Sequence, residues 1–172
     1  MPAIPPKLDV RTTVVFFNAD RLLLLHRAPW KKIHPNRWTG IGGKVEDGEY
    51  DDLVASALRE LFEETDLRAD EISELRLRRA LTLYRPNLGI VTILYFTGYL
   101  ANGRVPTCNE GALAWIRPND LATLEVIPNT ARVLPLLIED ERRGDDRVYC
   151  GVATYDDKDQ LLDVVFPEDG LK

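Results

Sequence analysis

Cysteine, histidine and long apolar runs are scarce in this sequence of 172 residues. Cys108 and Cys150 lack metal-ligand spacing, so we expect two buried free thiols and exclude a disulfide framework. His26 and His34 have no cysteine or histidine partner at metal spacing, and we expect them to be structural or solvated. No apolar run approaches the roughly 20 residues of a membrane-spanning helix, and the Pro-rich N-terminus does not resemble a signal peptide. The sequence therefore predicts a cytoplasmic protein without a membrane partner.

Basic charge is also in deficit. The chain has 22 Lys and Arg against 28 Asp and Glu, a formal net charge of -6. That sign opposes binding to the phosphate backbone of a nucleic-acid polymer, and we expect no such partner. Small anionic ligands remain possible, because carboxylates that hold a divalent cation reverse the sign of the local electrostatic potential.

The length and the 45% apolar content predict a single globular domain, which we place at residues 10–168 after an N-terminal arm at 1–9. The protein could be a monomer or a homodimer. Interleaved helices and strands predict an α/β or α+β sandwich. The expected strands lie at 10–17, 22–26, 72–84, 90–100, 112–116, 149–155 and 161–166, with 90–100 central, and the expected helices at 52–65 and 130–140.

The helix at 52–65 has the most informative pattern. Asp51 or Asp52 can cap its N-terminus. Glu60, Glu63 and Glu64 form one stripe beside an apolar arc. Such like charges repel by a few tenths of a kcal/mol on a helix, whereas hard cations such as Mg²⁺ require clustered oxygen ligands. Glutamate pairs are also common on solvated helix faces, so the stripe alone leaves both interpretations open. The apolar arc consists of Leu53, Val54, Ala57, Leu58, Leu61 and Phe62.

Two further features bear on these interpretations. Arg59 stands beside the stripe and could offset one carboxylate. Gly40, Gly42 and Gly43 precede the helix and leave backbone without Cβ atoms, so that a carbonyl can approach a metal or an amide a phosphate. The second helix contains Pro135, which is unusual there unless it falls in the first turn, because proline disrupts a helix interior.

The segments Gly43–Glu49 and Arg59–Leu67 resemble the Nudix box, whose pattern is Gly, five residues, Glu, seven residues, Arg-Glu, apolar, any, Glu-Glu, any, Gly, apolar. The chain departs from it twice. Nine residues, not seven, separate Glu49 from Arg59, which leaves the role of Glu49 open. Asp66 replaces the glycine, and we expect it to adopt positive φ at a modest cost in stability.

Within that family, Arg37–Val45 and Asn109–Trp115 resemble segments of the MutT-like oxidised-purine nucleoside triphosphate hydrolases. The resemblance implies an α/β/α sandwich with a mixed sheet. It also implies that Mg²⁺ or Mn²⁺ is the cofactor and that Glu60 or Glu110 accepts the proton of the attacking water. The implied catalytic and metal-binding groups are the side chains of Glu60, Glu63, Glu64 and Glu110 and the carbonyl of Gly42.

The substrate-binding candidates come from four other positions. Arg27 and Lys44 are the candidates for holding phosphate oxygens. Thr39 and Asn129 are the candidates for the base, at places where the oxidised-purine enzymes of human type carry Asn and, over 127–130, Trp-Pro-Asp-Asp. Among the aromatic residues, Trp30 and Tyr84 could stack on a base or pack in the core, and we expect Trp38 to pack.

The resemblance predicts an Mg²⁺-dependent hydrolase that cleaves a nucleoside triphosphate, such as an oxidised purine of the 8-oxo-dGTP type, to the monophosphate and pyrophosphate, in the manner of nucleotide-pool sanitation. One alternative substrate class is a dinucleoside polyphosphate, a nucleotide sugar or ADP-ribose. The other alternative is a nucleotide-sensing module without activity. Such modules typically lose box glutamates, and all three are present here, which favours an enzyme.

Overall fold

A computed structural model describes residues 7–85 and 89–167. The middle of the turn that the sequence predicts at 85–89, the first six residues of the arm and the domain end at 168 lie outside these ranges. The strands are β1 (Leu8–Asn18), β2 (Arg21–Arg27), β3 (Trp38–Thr39), β4 (Ile72–Arg85), β5 (Gly89–Leu100), β6 (Gly111–Ile116), β7 (Tyr149–Tyr155) and β8 (Leu161–Val165). The α-helices are α1 (Leu53–Thr65) and α2 (Pro128–Arg143), and short 3-10 helices occupy Ala69–Glu71 and Pro118–Thr123.

The strands form one mixed sheet in the order β3-β2-β1-β5-β4-β7-β8, with β6 also paired to β2. The pairs β1/β5 and β4/β7 are parallel, and the others are antiparallel. The apolar strand β5 lies in the middle of this order, as predicted. Strand β1 begins at Leu8, so its first two residues fall in the predicted arm.

Each face of the sheet has its own apolar core and its own helix. Strand β2 shows the division, because Leu22 and Leu24 face the core beneath α2, whereas Leu23 and Leu25 face the core beneath α1. Alternation along a strand places successive side chains on opposite faces. The predicted α/β/α sandwich with a mixed sheet is confirmed. No helix in the described ranges is long and apolar enough to cross a membrane.

Helix α1 begins and ends as its sequence predicts. The side chain of Asp52 accepts a hydrogen bond from the Ala55 amide at 2.9 Å, and Asp66 takes the left-handed conformation with φ of 57°. The predicted apolar arc is too wide, because Val54 and Phe62 are 41% and 49% exposed. The buried stripe of α1 is narrower and includes two polar residues: it consists of Ser56, Ala57, Leu61 and Thr65.

Helix α2 corrects the expectation for Pro135. The helix starts two residues earlier than predicted, with Pro128 in its first turn, and Pro135 lies in its interior. Pro135 occupies the exposed side of α2, where water can bond the carbonyl that loses its amide partner, while Val133 and Leu137 pack in the core. Neither of the two thiols predicted to be buried is fully buried, because Cys150 is exposed on β7 and Cys108 is partly exposed.

Candidate active site

Arg59 holds three carboxylates at the sheet-facing edge of α1. Its Nε and Nη2 donate to the two oxygens of Glu49 at 2.5 and 2.9 Å, and its Nη1 donates to Glu60 at 3.0 Å and to Glu63 at 2.9 Å. Nη2 also donates to the carbonyl of Lys44 at 2.9 Å. The sequence predicted that Arg59 offsets one carboxylate; the planar guanidinium binds three. This contact also answers the open question about Glu49, which has its pKa lowered to about 2 chiefly by the bond from Arg59.

Glu60 packs directly against the segment that contains Gly40, Gly42 and Gly43, which we call the glycine loop. A Cβ atom at position 43 would lie 2.5 Å from the Glu60 Oε2, so any other residue there would displace this carboxylate from its present position. Gly42 has φ of +145°, and a Cβ there would lie 2.4 Å from the Thr12 carbonyl. Burial raises the pKa of Glu60, and the bond from Arg59 opposes that rise. The two glycines therefore bring the backbone of this loop against a carboxylate of α1.

Glu64 is the most buried acid of the stripe. Burial raises its pKa to about 7, and the neighbouring Glu60 carboxylate contributes, while a backbone hydrogen bond from Gly42 acts in the opposite direction. Its Oε2 is buried without a hydrogen-bond partner among the described residues. A buried acceptor in this state costs about 1–3 kcal/mol and is explained by a donor or cation that binds there.

Glu110 is tied to the same region through its neighbours. The Asn109 amide donates to the Glu64 carbonyl at 3.0 Å, and its side-chain Nδ2 donates to the Glu63 carbonyl at 2.8 Å. These bonds join the loop before β6 to the last turn of α1. Glu110 itself forms an ion pair with Lys31, a residue that the sequence did not single out.

The donor set fits a hard divalent cation. Carboxylate oxygens from α1 meet Gly42 and Gly43, which lack Cβ atoms, and one of these oxygens is buried without a partner among the described residues. Within residues 7–85 and 89–167 no three acidic, histidine or cysteine side chains converge in a metal-holding geometry. The reason is visible in the contacts, since Arg59 takes Glu60 and Glu63 and Lys31 takes Glu110. Cations of the chain neutralise these acids.

A cavity of about 240 Å³ adjoins this cluster at Gly42 and Gly43, on the α2 side of the sheet. Thr39 and Asn129, the two positions predicted to contact a base, both line it, and so does Arg27. Thr39 and Asn129 are 8% and 6% exposed. Further lining residues that the sequence did not predict come from four strands and include Arg11, Leu83, Arg85, Ile93, Tyr95 and Tyr155.

Several polar groups of the cavity are held by contacts with neighbouring residues. The Tyr95 hydroxyl lies 3.4 Å from the Thr130 hydroxyl, and burial is the main cause that raises the pKa of Tyr95. Arg27 donates from Nε to the Ile33 carbonyl at 3.2 Å, which folds the loop after β2 over the cavity. His34, expected to be structural or solvated, lines the cavity, and burial together with nearby arginines lowers its pKa.

Several candidates lie elsewhere. Lys44 has an exposed side chain that does not line the cavity, and Trp30 and Tyr84 are 73% and 61% exposed outside it. Trp38 packs against the core on the α2 side, as predicted. A larger groove of about 740 Å³ lies between α2 and the turn before it, but no residue of the carboxylate cluster contributes to it. The smaller cavity is therefore the one that adjoins the carboxylates of α1.

Comparison with known proteins identifies the family. The NUDIX domain matches residues 7–137. An oxidized purine nucleoside triphosphate hydrolase of Mus musculus is 27% identical over 151 residues, which cover 88% of this chain and 89% of that protein. An m7GpppN-mRNA hydrolase of Xenopus laevis, NUDT17, is 47% identical over 67 residues, which cover 38% of this chain and 22% of that protein.

Solved structures agree on the fold. A MutT protein from Bacillus halodurans superposes with a TM-score of 0.68 at 18% identity, covering 94% of this chain and 99% of that one. Together with the domain match, the carboxylate stripe on α1 and the glycine loop beside it lead to one conclusion: the chain belongs to the Nudix family of hydrolases, enzymes that act on the pyrophosphate bonds of nucleotides.

Proposed function

We propose that this protein is an Mg²⁺-dependent nucleoside triphosphate pyrophosphohydrolase that releases a monophosphate and pyrophosphate. One observation carries the proposal: Gly42 and Gly43 border both the carboxylate cluster of α1 and the cavity lined by Thr39 and Asn129. A nucleotide with its base in that cavity would extend its phosphates across the glycine loop to the acids. The hydrolase of Mus musculus, named for oxidized purine nucleoside triphosphates, supports the same substrate class.

Mg²⁺ or Mn²⁺ would be held by Glu60, Glu63, Glu64 and Glu110 and by the carbonyl of Gly42. When bound, such a cation neutralises phosphate oxygens and lowers the pKa of a coordinated water. The residues of the chain do the rest. Arg59 fixes the orientation of two of these acids through its planar guanidinium.

Arg27 would bind a phosphate oxygen from the cavity wall, where a guanidinium matches phosphate geometry. Lys44 remains a candidate for binding a phosphate oxygen, although its side chain does not line the cavity. Glu60 and Glu110 are the two carboxylates to which we assign the proton of the attacking water, and Glu60→Gln and Glu110→Gln variants distinguish them. The variant of the true acceptor loses kcat even where saturating metal restores its metal binding.

Thr39 and Asn129 would read the base edge together with Thr130. A single hydroxyl at 39, one amide at 129 and one hydroxyl at 130 offer fewer buried polar groups than an asparagine and two carboxylates would. The wrong base therefore leaves fewer of these groups unpaired, and discrimination weakens. We propose hydrolysis of several purine triphosphates, 8-oxo-dGTP among them.

We further propose a cytoplasmic location, a monomer or homodimer, and no partner beyond the small nucleotide. The bounds of the arm, 1–9, and of the catalytic domain, 10–168, belong to the same proposal. Light scattering behind size-exclusion chromatography measures the oligomeric state directly.

The test is an Mg²⁺-dependent hydrolysis screen with product identification. Its substrates are canonical and oxidised nucleoside triphosphates, a dinucleoside polyphosphate, an m7G cap analogue, a nucleotide sugar and ADP-ribose. We expect release of monophosphate and pyrophosphate from purine triphosphates, and Glu64→Gln serves as the inactive control. Turnover confined to the other compounds would move the substrate to one of the alternative classes. Nucleotide binding without turnover of any compound would assign a sensing module.

A further inference from the structure

Lys31 is the cation that faces the acids from the loop between β2 and β3. Its Nζ forms an ion pair with the carboxylate of Glu110, and the two side chains are 25% and 26% exposed. The next residue, Lys32, is exposed and has no ion pair among the described residues. The two adjacent lysines therefore have different surroundings, although the sequence does not distinguish them.

The backbone directs Lys31 to this position. The Ala28 amide donates to the Glu110 carbonyl at 2.9 Å, and the Lys31 amide donates to the Ala28 carbonyl at 3.2 Å. Asn109, next to Glu110, is bonded in turn to the last turn of α1. Lys31 is thus held in a short turn against the loop that carries Glu110, and this loop is held against the catalytic helix.

The charge of Lys31 also acts beyond its direct partner. It opposes the rise in pKa of both Glu64 and Cys108, which places it within electrostatic range of the buried end of the glutamate stripe. Lys31 is therefore paired with Glu110 and lies within electrostatic range of Glu64, in the region where the proposed function requires a divalent ion and the phosphates of a nucleotide.

Two cations cannot be paired with one carboxylate at full strength. A divalent ion at Glu110 repels the ammonium of Lys31, while the nucleotide brings phosphate oxygens that an ammonium binds well. The lysine side chain is a flexible stem of four carbons joined by rotatable bonds, so its Nζ can move several ångströms without moving the backbone turn.

We propose that Lys31 is a phosphate-binding residue that holds Glu110 in the metal-free enzyme and exchanges this carboxylate for a phosphate oxygen when metal and nucleotide are bound. The inference rests on the proposed function, since it assumes a polyphosphate substrate. It assigns to Lys31 two opposite effects: competition with the metal for Glu110 and attraction of the substrate.

The experiment compares Lys31→Met, Lys31→Arg and the matched control Lys32→Met in the full-length protein. Free Mn²⁺ is titrated by electron paramagnetic resonance without nucleotide, and KM and kcat are measured with a purine triphosphate at saturating Mg²⁺. We expect Lys31→Met to tighten Mn²⁺ binding by about two- to fivefold, the range of a partly exposed ion pair. The same variant should raise KM by at least about tenfold, as loss of a charged hydrogen bond does. Lys31→Arg should recover most of the KM, and Lys32→Met should match the wild type.

A second background separates competition from long-range charge. In Glu110→Gln the lysine has no carboxylate to hold, so adding Lys31→Met should tighten Mn²⁺ binding by less than it does in the wild-type background, and the remainder measures the long-range charge effect. Weaker Mn²⁺ binding by Lys31→Met would overturn the proposal, because it would make Lys31 a tether that positions Glu110. An unchanged KM would overturn it as well. Failure of the proposed function is distinct: the wild type would then hydrolyse no nucleoside triphosphate, while the Mn²⁺ titrations would still report on competition at Glu110.

Discussion

The two faces of the sheet contribute to the candidate site in different ways. On the α1 face, the glycine loop and the acids of the helix lie within residues 42–64, and Arg59 joins two of those acids to Glu49, which precedes the helix. On the α2 face, the cavity is assembled from β1, β4, β5, β7 and the start of α2. Chemistry that depends on one helix leaves a spacing that can be recognised, whereas a cavity built from distant segments leaves none.

The two faces also differ in charge. The α1 face presents carboxylates, whereas the cavity is lined by Arg11, Arg27 and Arg85. Asp9 is the one acidic residue among the described residues that line it. Asp9 is paired with Arg11 at 2.9 Å. A metal-bound polyphosphate fits this division, because its cation belongs at the acids and its anionic groups belong beside the arginines. The predictions below test whether chemistry and recognition separate in the same way.

Metal removal should have the largest effect and should act through the α1 face. With excess chelator we expect hydrolysis to cease, and Mg²⁺ or Mn²⁺ to restore it, because hard oxygen ligands select these ions. Metal at 100 times its Kd should also raise the unfolding free energy by about 2.7 kcal/mol. Calorimetry with and without metal measures this gain, and Glu64→Gln should reduce it. Full turnover in chelator would exclude the proposed metal mechanism.

Substitution of a box glutamate comes next. We expect Glu64→Gln and Glu63→Gln each to lower kcat by at least about 100-fold, because each removes a charged metal ligand. Stability without metal should stay equal or rise, since one like charge leaves the stripe. Asn129→Ala on the other face should raise KM and change kcat little. A glutamine variant that unfolds, yet whose folded fraction retains full turnover, would make the stripe structural.

Much of the α1 face could be predicted from sequence because its determinants are local. The Asp52 cap and the glutamate stripe follow from neighbours within a few residues, and the positive φ of Asp66 follows from its place at the glycine of the Nudix pattern. What the sequence could not indicate depends on contacts over longer separations. Arg59 reaches Glu49 ten residues upstream, across the enlarged loop, and Lys31 reaches Glu110 from another loop.

The α2 face was less predictable for a different reason. Tyr95 and Tyr155 lie in apolar strands, and alternation alone does not tell which apolar side chain lines a cavity and which fills the core. Thr39 and Asn129 were found only because a resemblance pointed to them. The prediction that Val54 is buried was wrong, because local periodicity does not say how wide a face of α1 the sheet covers. The sequence also did not place Pro135 in the interior of α2, because periodicity does not show where that helix begins.

Stability should depend on pH through Glu64. Its pKa is raised from 4.5 to about 7, so the folded protein binds more protons than the unfolded chain between these values. Without metal, the unfolding free energy should therefore fall as pH rises from about 4.5 to 7. Each pKa unit corresponds to about 1.4 kcal/mol, which sets an upper limit of about 3 kcal/mol.

Urea unfolding in chelator, between pH 4.5 and 8, measures this slope. Glu64→Gln should flatten it, because glutamine does not titrate, and this variant should be the more stable protein above pH 7. Glu49 acts in the opposite direction at lower pH. Its lowered pKa stabilises the fold above about pH 4.5, and this stability is lost as pH falls toward 2. An unchanged slope in Glu64→Gln would assign the pH dependence to other groups.

Selectivity tests the α2 face alone. We expect the ratio of kcat/KM for 8-oxo-dGTP to that for dGTP to stay well below the roughly thousandfold order that a fully matched hydrogen-bonding site reaches. Both substrates are measured with one metal at one concentration. A ratio of that order or above would mean that Thr39, Asn129 and Thr130 rebuild the recognition, or that the base does not bind where they lie.

The smallest effects concern the ends of the two helices. Asp66 ends α1 with φ of 57°, and Gly144 ends α2 with φ of 62°. A Cβ at Gly144 would touch nothing within 4 Å, so Gly144→Ala isolates the backbone cost, about 1 kcal/mol lost. Asp66→Gly is the converse substitution, because it places a glycine at the left-handed position that ends α1. It should stabilise by at most about 0.5 kcal/mol, because aspartate tolerates this conformation and glycine adds entropy to the unfolded chain.

Urea unfolding of the two variants and the wild type gives both values, and neither variant should change kcat. A loss above about 1 kcal/mol in Asp66→Gly would indicate that the Asp66 carboxylate stabilises the end of α1 by a contact of its own, since relief of the left-handed backbone alone acts in the opposite direction. A fall in kcat with stability intact would mean that the end of α1 positions Glu63 and Glu64, whose carbonyls bind Asn109. The helix terminus would then belong to the catalytic face and not only to its scaffold.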